Sequence, residues 1–285
     1  MRLARFNDNR LGLVEGDCLR DVSAALEVLP AVRYPVPPGD LLVTHLDDVL
    51  LRARALAPAS PSIPLNGVVL QSPVANPGKV VAAPVNYQKH LDEVRGDAQL
   101  HHDNAITTIH RAGLFLKAAS SVVGAGDGIA LEMLDRRSDH EVELAVVIGR
   151  RARRVTRADA LAHVAGYCIG FDITIRGSEE RSLRKSVDTY TVLGPYLVTA
   201  DEVGSPDDLD LSLSVNGELR QRSNTRFLIK NVAELIEFAS SFYTLYPGDV
   251  LMTGTPEGVA PLYPGDTIEG TIDRIGVMRV GVRAA

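Results

Sequence analysis

The chain is built from short apolar runs separated by polar segments rich in Gly, Pro and Asp, a pattern typical of short strands. Three runs near the N-terminus predict strands at Arg2–Phe6, Leu11–Glu15 and Cys18–Val22. Further along, strands are predicted at Lys79–Ala83, Leu114–Lys117, Ile129–Leu131, Glu141–Ile148, Ala165–Phe171, Tyr196–Thr199, Leu211–Val215, Asp249–Thr253, Thr267–Ile272 and Gly276–Val282.

Helical periodicity is confined to a few segments, namely Ser23–Leu29, Leu41–Ala55, Thr156–Val164 and Asn231–Tyr243. Strands and helices do not alternate, so the pattern does not fit a parallel, doubly wound sheet. It predicts an α+β fold: a curled, mixed β-roll with a few flanking helices. A Pro- and Ser-rich stretch at 57–64 has the composition of a linker. We therefore predict a small N-terminal domain at 1–72 and a catalytic β-roll domain at 73–285.

Composition excludes several classes of protein. The 285 residues are 45% hydrophobic and 23% charged, with a net charge of -6, as in ordinary globular proteins. Basic residues are scattered, so a nucleic-acid partner is not expected. Cys18 and Cys168 lie in apolar contexts, which favours buried thiols over a disulfide. No run approaches 18 apolar residues, and the early charges do not fit a signal peptide, so we expect no membrane span and a cytoplasmic location.

Two glutamates one residue apart, Glu141 and Glu143, open an apolar strand. Side chains at i and i+2 of a strand share a face, so both carboxylates point to one spot. Burying two like charges is costly, and a divalent cation with oxygen ligands would compensate them. Asp172, at the end of the next strand, can supply a third oxygen. The alternative is that both glutamates lie on a solvated face opposite Arg or Lys.

A second candidate pair is His90 and Glu93, which follow the strand at Lys79–Ala83. If a helix starts near Tyr87, these side chains are i, i+3 neighbours. A carboxylate bound to one imidazole nitrogen raises the basicity of the other, which makes a general base that can activate water. An exposed pair on a helix surface is the alternative.

Two other segments contain residues suited to binding. In Thr253-Gly-Thr-Pro, Gly254 permits close backbone approach to a ligand, and Thr255 offers a hydroxyl, although a tight turn explains the motif equally well. The polar connection at 96–112 contains a His-rich stretch, whose spacing matches no standard metal site; its members are His101, His102, Asp103 and His110. We interpret that connection as a lid or crossover loop.

Ten motifs in order resemble those of the fumarylacetoacetate hydrolase family, from about Lys79 to Val282. They are Asn86-Tyr87-x-x-His90-x-x-Glu93, Phe115-Leu-Lys117, Asp139-His-Glu141-Val-Glu143-Leu, Gly166-Tyr-x-x-x-Phe-Asp172, Lys185-Ser-Val-Asp188-Thr, Leu193-Gly-Pro, Val215-Asn-Gly-Glu, Ser223-Asn-Thr, Tyr246-Pro-Gly-Asp-Val and Thr253-Gly-Thr-Pro-x-Gly-Val. The resemblance implies a β-roll catalytic domain, a homodimer, and Mg²⁺ or Mn²⁺ as cofactor.

The resemblance also implies roles for individual residues. The metal ligands would be Glu141, Glu143 and Asp172, and the catalytic residues would be His90, Glu93 and Lys185. Substrate would be bound by Tyr87, Arg176 and Thr255. The chain departs from the family at Glu179, where relatives often have Gln; we expect this acid to disfavour an anionic distal group on the substrate.

The predicted reaction is metal-dependent hydrolysis of a carbon–carbon bond in a 2,4-dioxo acid. Water deprotonated by His90 and Glu93 would attack the 4-carbonyl, and a 2-oxo acid such as pyruvate would leave with its charge on the metal and Lys185. One alternative on the same scaffold is isomerisation or decarboxylation of a 2-oxo or 2-hydroxy-dienoate diacid from aromatic degradation. Another is an oxo-acid-binding metal protein without turnover, which would need no base.

Overall fold

The computed structural model describes residues 1–101 and 108–285, apart from the side chain of His101. Its strands are β1 (Arg2–Phe6), β2 (Arg10–Glu15), β3 (Cys18–Asp21), β4 (Ser62–Pro64), β5 (Leu70–Gln71), β6 (Val80–Ala82), β7 (Phe115–Lys117), β8 (Val122–Val123), β9 (Ile129–Leu131), β10 (Ser138–Asp139), β11 (Val142–Ile148), β12 (Val164–Asp172), β13 (Thr174–Ile175), β14 (Thr191–Thr199), β15 (Asp210–Val215), β16 (Glu218–Asn224), β17 (Val250–Met252), β18 (Thr267–Ile272) and β19 (Gly276–Ala284). The strands predicted from the sequence are all present, within a few residues at their ends.

The α-helices are short: α1 (Leu41–Thr44), α2 (Leu46–Leu56), α3 (Gln88–Gly96), α4 (Ala98–His101), α5 (Ile109–Ala112), α6 (Arg181–Lys185), α7 (Ala200–Val203) and α8 (Val232–Phe242). Helix α8 begins with a capping box between Asn231 and Glu234, and its bounds confirm the helix predicted at Asn231–Tyr243. The α-helices predicted at Ser23–Leu29 and Thr156–Val164 are wrong, because only 3₁₀ turns form there, at Ser23–Val28 and Ala160–His163. No helix in the two described ranges is both long and apolar enough to cross a membrane.

Two large sheets organise the fold. The larger has the strand order β4-β3-β2-β1-β14-β12-β11-β17-β6-β7, with β5 beside β1 and β8 beside β14, and the smaller has the order β16-β15-β18-β19-β9. Most pairs are antiparallel, but three are parallel: β6 with β17, β8 with β14 and β9 with β19. The mixed sheets and few helices confirm the predicted α+β class.

The N-terminal strands join the same large sheet as the rest of the chain. Strand β1 pairs with β14, with Arg2 opposite Val198 and Leu3 opposite Leu197. Apolar side chains of α2 pack in one buried cluster with residues of the large sheet such as Leu197 and Val250. The boundary at residue 72 stays a prediction, and the sheet is continuous across it.

The two sheets pack face to face around the main apolar core. Phe171 of β12 lies against Gly270 of β18 so closely that a Cβ at position 270 would lie 2.5 Å from its ring. Glycine is therefore required there by close approach rather than by its backbone angles. This contact fixes the end of β12, and the residue that follows Phe171 is Asp172.

Candidate active site

Three carboxylates meet where β11 begins and β12 ends. The strands are antiparallel, with Val142 opposite Phe171, and the backbone N–H of Asp172 donates to the carbonyl of Glu141 at 2.9 Å. This register brings Asp172 beside Glu141 and Glu143, and ligand oxygens of the three side chains lie within 4.8 Å of one another. All three residues are buried. We call this group the carboxylate floor.

Two acids of the carboxylate floor are compensated by cations of the chain itself. Lys185 Nζ donates to Glu141 Oε2 at 2.8 Å and to Asp172 Oδ2 at 2.7 Å. Lys117, itself fully buried, pairs with the other oxygen of Asp172. Arg176 Nη2 donates to Glu141 Oε1 at 3.0 Å. Burial alone would raise the pKa of Glu141, but Lys185 and Arg176 hold it at about 2.

Glu143 differs from its two neighbours. Its Oε2 accepts a hydrogen bond of 2.6 Å from the backbone N–H of Gly254, and it forms no ion pair within residues 1–101 and 108–285. Burial raises its pKa well above the usual range, and the charges of Asp172 and Glu141 raise it further. A divalent cation fits this position, because it would bind three hard oxygen ligands and offset the remaining negative charge.

His90 and Glu93 are paired on α3, as their spacing predicts. His90 Nδ1 lies 2.8 Å from Glu93 Oε2, and Glu93 Oε1 accepts from the backbone N–H of Gly258 at 2.9 Å. His90 is 4% exposed and lines the same cavity, of about 270 Å³, as the three carboxylates. Because an ionised carboxylate only accepts hydrogen bonds, Nδ1 of the neutral ring carries the hydrogen, and Nε2 is left as a base.

Thr255 also lines this cavity, and a buried glutamine orients its hydroxyl. Gln221 Nε2 donates to Thr255 Oγ1 at 2.8 Å, and Gln221 Oε1 accepts from the backbone N–H of Val142 at 3.0 Å. Since the Thr255 oxygen accepts this bond, its own proton remains available to a ligand. The arrangement suits a donor to a substrate carboxylate.

The structure also shows the surroundings of Tyr87, Arg176 and Lys185, whose predicted roles stay predictions. Tyr87 does not line the cavity of the carboxylate floor; it borders a separate one of about 320 Å³ beside Phe227. Arg176 does line the cavity, but its Nε donates to Asp139 at 2.7 Å while Nη2 holds Glu141. Lys185 donates its third Nζ hydrogen to Thr174, so all three donors are directed at protein oxygens.

The His-rich stretch contributes no observed ligand. Residues 102–107 and the side chain of His101 lie outside the described residues, and His110 on α5 is exposed. The interpretation of this connection as a lid stays a prediction.

Sequence reasoning missed Lys117 and Gln221. Lys117 ends a three-residue strand, where a lysine is usually solvated, and only the pairing of β7 with β6 turns it inward. Gln221 lies on β16, whose polar sequence did not indicate a strand. The available signals were the Phe115-Leu-Lys117 motif for Lys117 and, for Gln221, a position between the Val215-Asn-Gly-Glu and Ser223-Asn-Thr motifs.

Comparison with known proteins decides the family. Residues 79–283 match the family model described as fumarylacetoacetate (FAA) hydrolase, C-terminal. The chain belongs to the fumarylacetoacetate hydrolase family. The predicted resemblance is thereby confirmed over the range where the motifs lie.

Several family members are similar over most or all of the chain. A maleylpyruvate hydrolase of Aquipseudomonas alcaligenes is 57% identical over 286 residues, with 100% of both chains covered. The crystal structure of a maleylpyruvate hydrolase from Sphingobium sp. SYK-6, in complex with manganese(II) and pyruvate, is 38% identical with a TM-score of 0.85, again over 100% of both chains. A mitochondrial oxaloacetate tautomerase of Bos taurus is 39% identical over 238 residues, 79% of this chain and 73% of that protein.

Proposed function

We propose that this chain is a metal-dependent hydrolase that cleaves maleylpyruvate, or a closely similar acylpyruvate, to pyruvate and a carboxylic acid. The observation that carries the proposal is one cavity containing both the carboxylate floor and the His90–Glu93 pair. The first supplies a cation site and the second a base for water. The 57% identity to a maleylpyruvate hydrolase supports the choice of substrate.

A divalent cation held by Glu141, Glu143 and Asp172 would polarise the 2-oxo group and stabilise negative charge that develops on its oxygen. The positive charges of Lys185 and Lys117 lie beside the same floor, so they also favour negative charge there. Thr255 is suited to bind the adjacent substrate carboxylate through its hydroxyl proton.

His90 is the group suited to move the proton. It would take a proton from water at Nε2 while Glu93 stabilises the imidazolium through Nδ1. The oxygen of that water would bond to C4 of the substrate, and the C3–C4 bond would break. Its electron pair passes to C3 and the 2-oxo group, and protonation at C3 gives pyruvate. With maleylpyruvate and one water, the second product is maleate.

The test follows both products from purified protein supplied with Mn²⁺. We expect equimolar pyruvate and maleate from maleylpyruvate, and one ¹⁸O atom from labelled water in maleate. Isomerisation of maleylpyruvate, or decarboxylation of oxaloacetate with no hydrolysis of maleylpyruvate, would favour the isomerase or decarboxylase alternative. Binding of a panel of oxo acids by calorimetry without conversion would identify a non-catalytic binder.

We propose three further properties of this protein, which concern its cation, its oligomeric state and its location. We infer that Mg²⁺ can replace Mn²⁺, because an all-oxygen site accepts both cations. We also infer a homodimer located in the cytoplasm. Light scattering on the purified protein, cell fractionation and activity with each cation would test the three separately.

A further inference from the structure

Arg181, the first residue of α6, differs in its hydrogen bonding from the other cations that line the cavity. Its side chain is partly buried, yet the guanidinium makes no hydrogen bond or ion pair with any residue that the structure describes. Burial lowers the pKa of Arg181, while the charges of Glu180 and Glu141 oppose that effect. An arginine has five N–H donors, so a partly desolvated one without a partner is costly.

The other cations of the cavity already have partners. Arg176 holds Asp139 and Glu141, and Lys185 holds both Glu141 and Asp172. Arg184, on the same helix as Arg181, donates to the backbone carbonyls at 179 and 175, at 2.7 and 3.1 Å. Arg181 is therefore the cation of this wall whose donors remain available to a ligand.

Two acids lie on the same wall: Glu180 is exposed to solvent, and Glu179 is paired with an arginine. Glu179 lines the cavity, but Arg136 donates to both of its oxygens at 2.8 Å. These hydrogen bonds hold the pKa of Glu179 at about 2. The sequence-based expectation that Glu179 would disfavour an anionic distal group treated this charge as uncompensated, and the pairing with Arg136 removes that reason.

We propose that Arg181 binds the distal carboxylate of a dicarboxylic acylpyruvate and so selects substrates with a second acid group. The inference rests on the proposed function, because it assumes that the oxo-acid end of the substrate lies at the carboxylate floor. A planar guanidinium binds a carboxylate through two parallel hydrogen bonds, which a neutral acyl group cannot accept. The maleyl group ends in such a carboxylate.

The kinetic test compares maleylpyruvate with acetylpyruvate, which lacks the distal acid. Arg181→Met should lower kcat/KM for maleylpyruvate by on the order of 10- to 100-fold, the effect of losing hydrogen bonds to a charged group. The value for acetylpyruvate should stay within about twofold. Arg181→Lys should retain part of the preference for maleylpyruvate over acetylpyruvate. Arg52→Met, an exposed arginine on α2 without a described partner, is the matched control and should change neither value.

A binding measurement separates this inference from the proposed function. Calorimetry on the Mn²⁺-loaded protein would compare 2-oxoheptanedioate with 2-oxoheptanoate, which have equal length and differ in the distal carboxylate. We expect the diacid to bind on the order of tenfold or more tightly, and Arg181→Met to remove that difference.

The outcomes distinguish the two claims. If no acylpyruvate is cleaved but the diacid preference depends on Arg181, the proposed function fails and the binding role stands. Equal losses for both substrates in Arg181→Met, or a diacid preference that survives the substitution, would overturn the role of Arg181.

Discussion

The inner and outer parts of the cavity use charge differently. At the carboxylate floor, the cations Lys117, Lys185 and Arg176 are already held by acids of the chain. On the outer wall formed by α6, Arg181 has no such partner among the described residues. The inner charges therefore hold Glu141 and Asp172 in position before a substrate arrives, whereas the outer charge has the proposed role of binding the substrate. Helix α6 would thus serve both parts of the cavity, with Lys185 at its end beside the carboxylate floor and Arg181 at its start on the outer wall.

The largest expected effect concerns the carboxylate floor. Glu141→Gln, Glu143→Gln and Asp172→Asn should each abolish tight Mn²⁺ binding and activity, because each removes one of three oxygen ligands. Titration calorimetry and the pyruvate assay would check this. A variant with unchanged Mn²⁺ affinity would contradict the assignment of that residue.

Melting temperatures measured without metal should distinguish Glu143 from Glu141. Glu143→Gln should keep or raise the melting temperature of the metal-free protein, since it removes a buried charge without an ion-pair partner. Glu141→Gln should lower it, at a cost of about 1–3 kcal/mol, because Arg176 and Lys185 lose a charged partner. If both variants change the melting temperature in the same direction and by the same amount, the difference in ion pairing between Glu141 and Glu143 does not hold in solution.

The next effect tests the base. His90→Ala should lower kcat by roughly 10²–10⁴-fold, the usual contribution of a positioned general base. Glu93→Gln should give a smaller loss, because the imidazole remains. Binding of oxalate to the Mn²⁺-loaded protein should hardly change in either variant. Hydrolysis by His90→Ala at the wild-type rate would exclude His90 as the base.

Thr255 offers a smaller and more specific test. Thr255→Val should raise KM for acylpyruvates by about 10- to 100-fold, because a hydrogen bond to the substrate carboxylate is lost. Thr255→Ser retains the hydroxyl and should stay close to wild type. Similar KM values for the Val and Ser variants would show that the hydroxyl does not contact the substrate.

The smallest expected effect concerns the ion pair between Arg136 and Glu179 at the outer wall. Arg136→Met leaves Glu179 uncompensated, so kcat/KM for maleylpyruvate should fall by about two- to fivefold, the range of an exposed ion pair. The double substitution Arg136→Met/Glu179→Gln should restore it, and acetylpyruvate should respond to neither. A loss that persists in the double variant would indicate a structural effect of Arg136.

The sequence predicted most of the strands, and it predicted which carboxylate and imidazole side chains lie together at the inner cavity, because both depend on local signals. Alternating and apolar runs mark the strands, and the i, i+2 spacing of Glu141 and Glu143 and the i, i+3 spacing of His90 and Glu93 already place side chains together. These contacts need only one element each. The loss of the helix predicted at Thr156–Val164 shows the limit of periodicity: the segment makes a single 3₁₀ turn against α8.

What the sequence did not predict depends on contacts between distant segments. Glu179 is neutralised by Arg136, 43 residues away, and Lys117 reaches Asp172 across 55 residues. No spacing rule connects such pairs. The hydrogen bond from Arg176 to Asp139, 37 residues away, is a further contact of this kind.

The buried ammonium of Lys117 has a consequence for how the protein acquires its metal. A chain that carries its own counter-charges for Asp172 and Glu141 does not need the cation in order to fold, unlike small domains whose folding energy comes from a metal. Chelation should therefore leave a folded protein that can be reloaded. The metal supply of the cell would then set what fraction of the enzyme is active, without changing how much of it survives proteolysis.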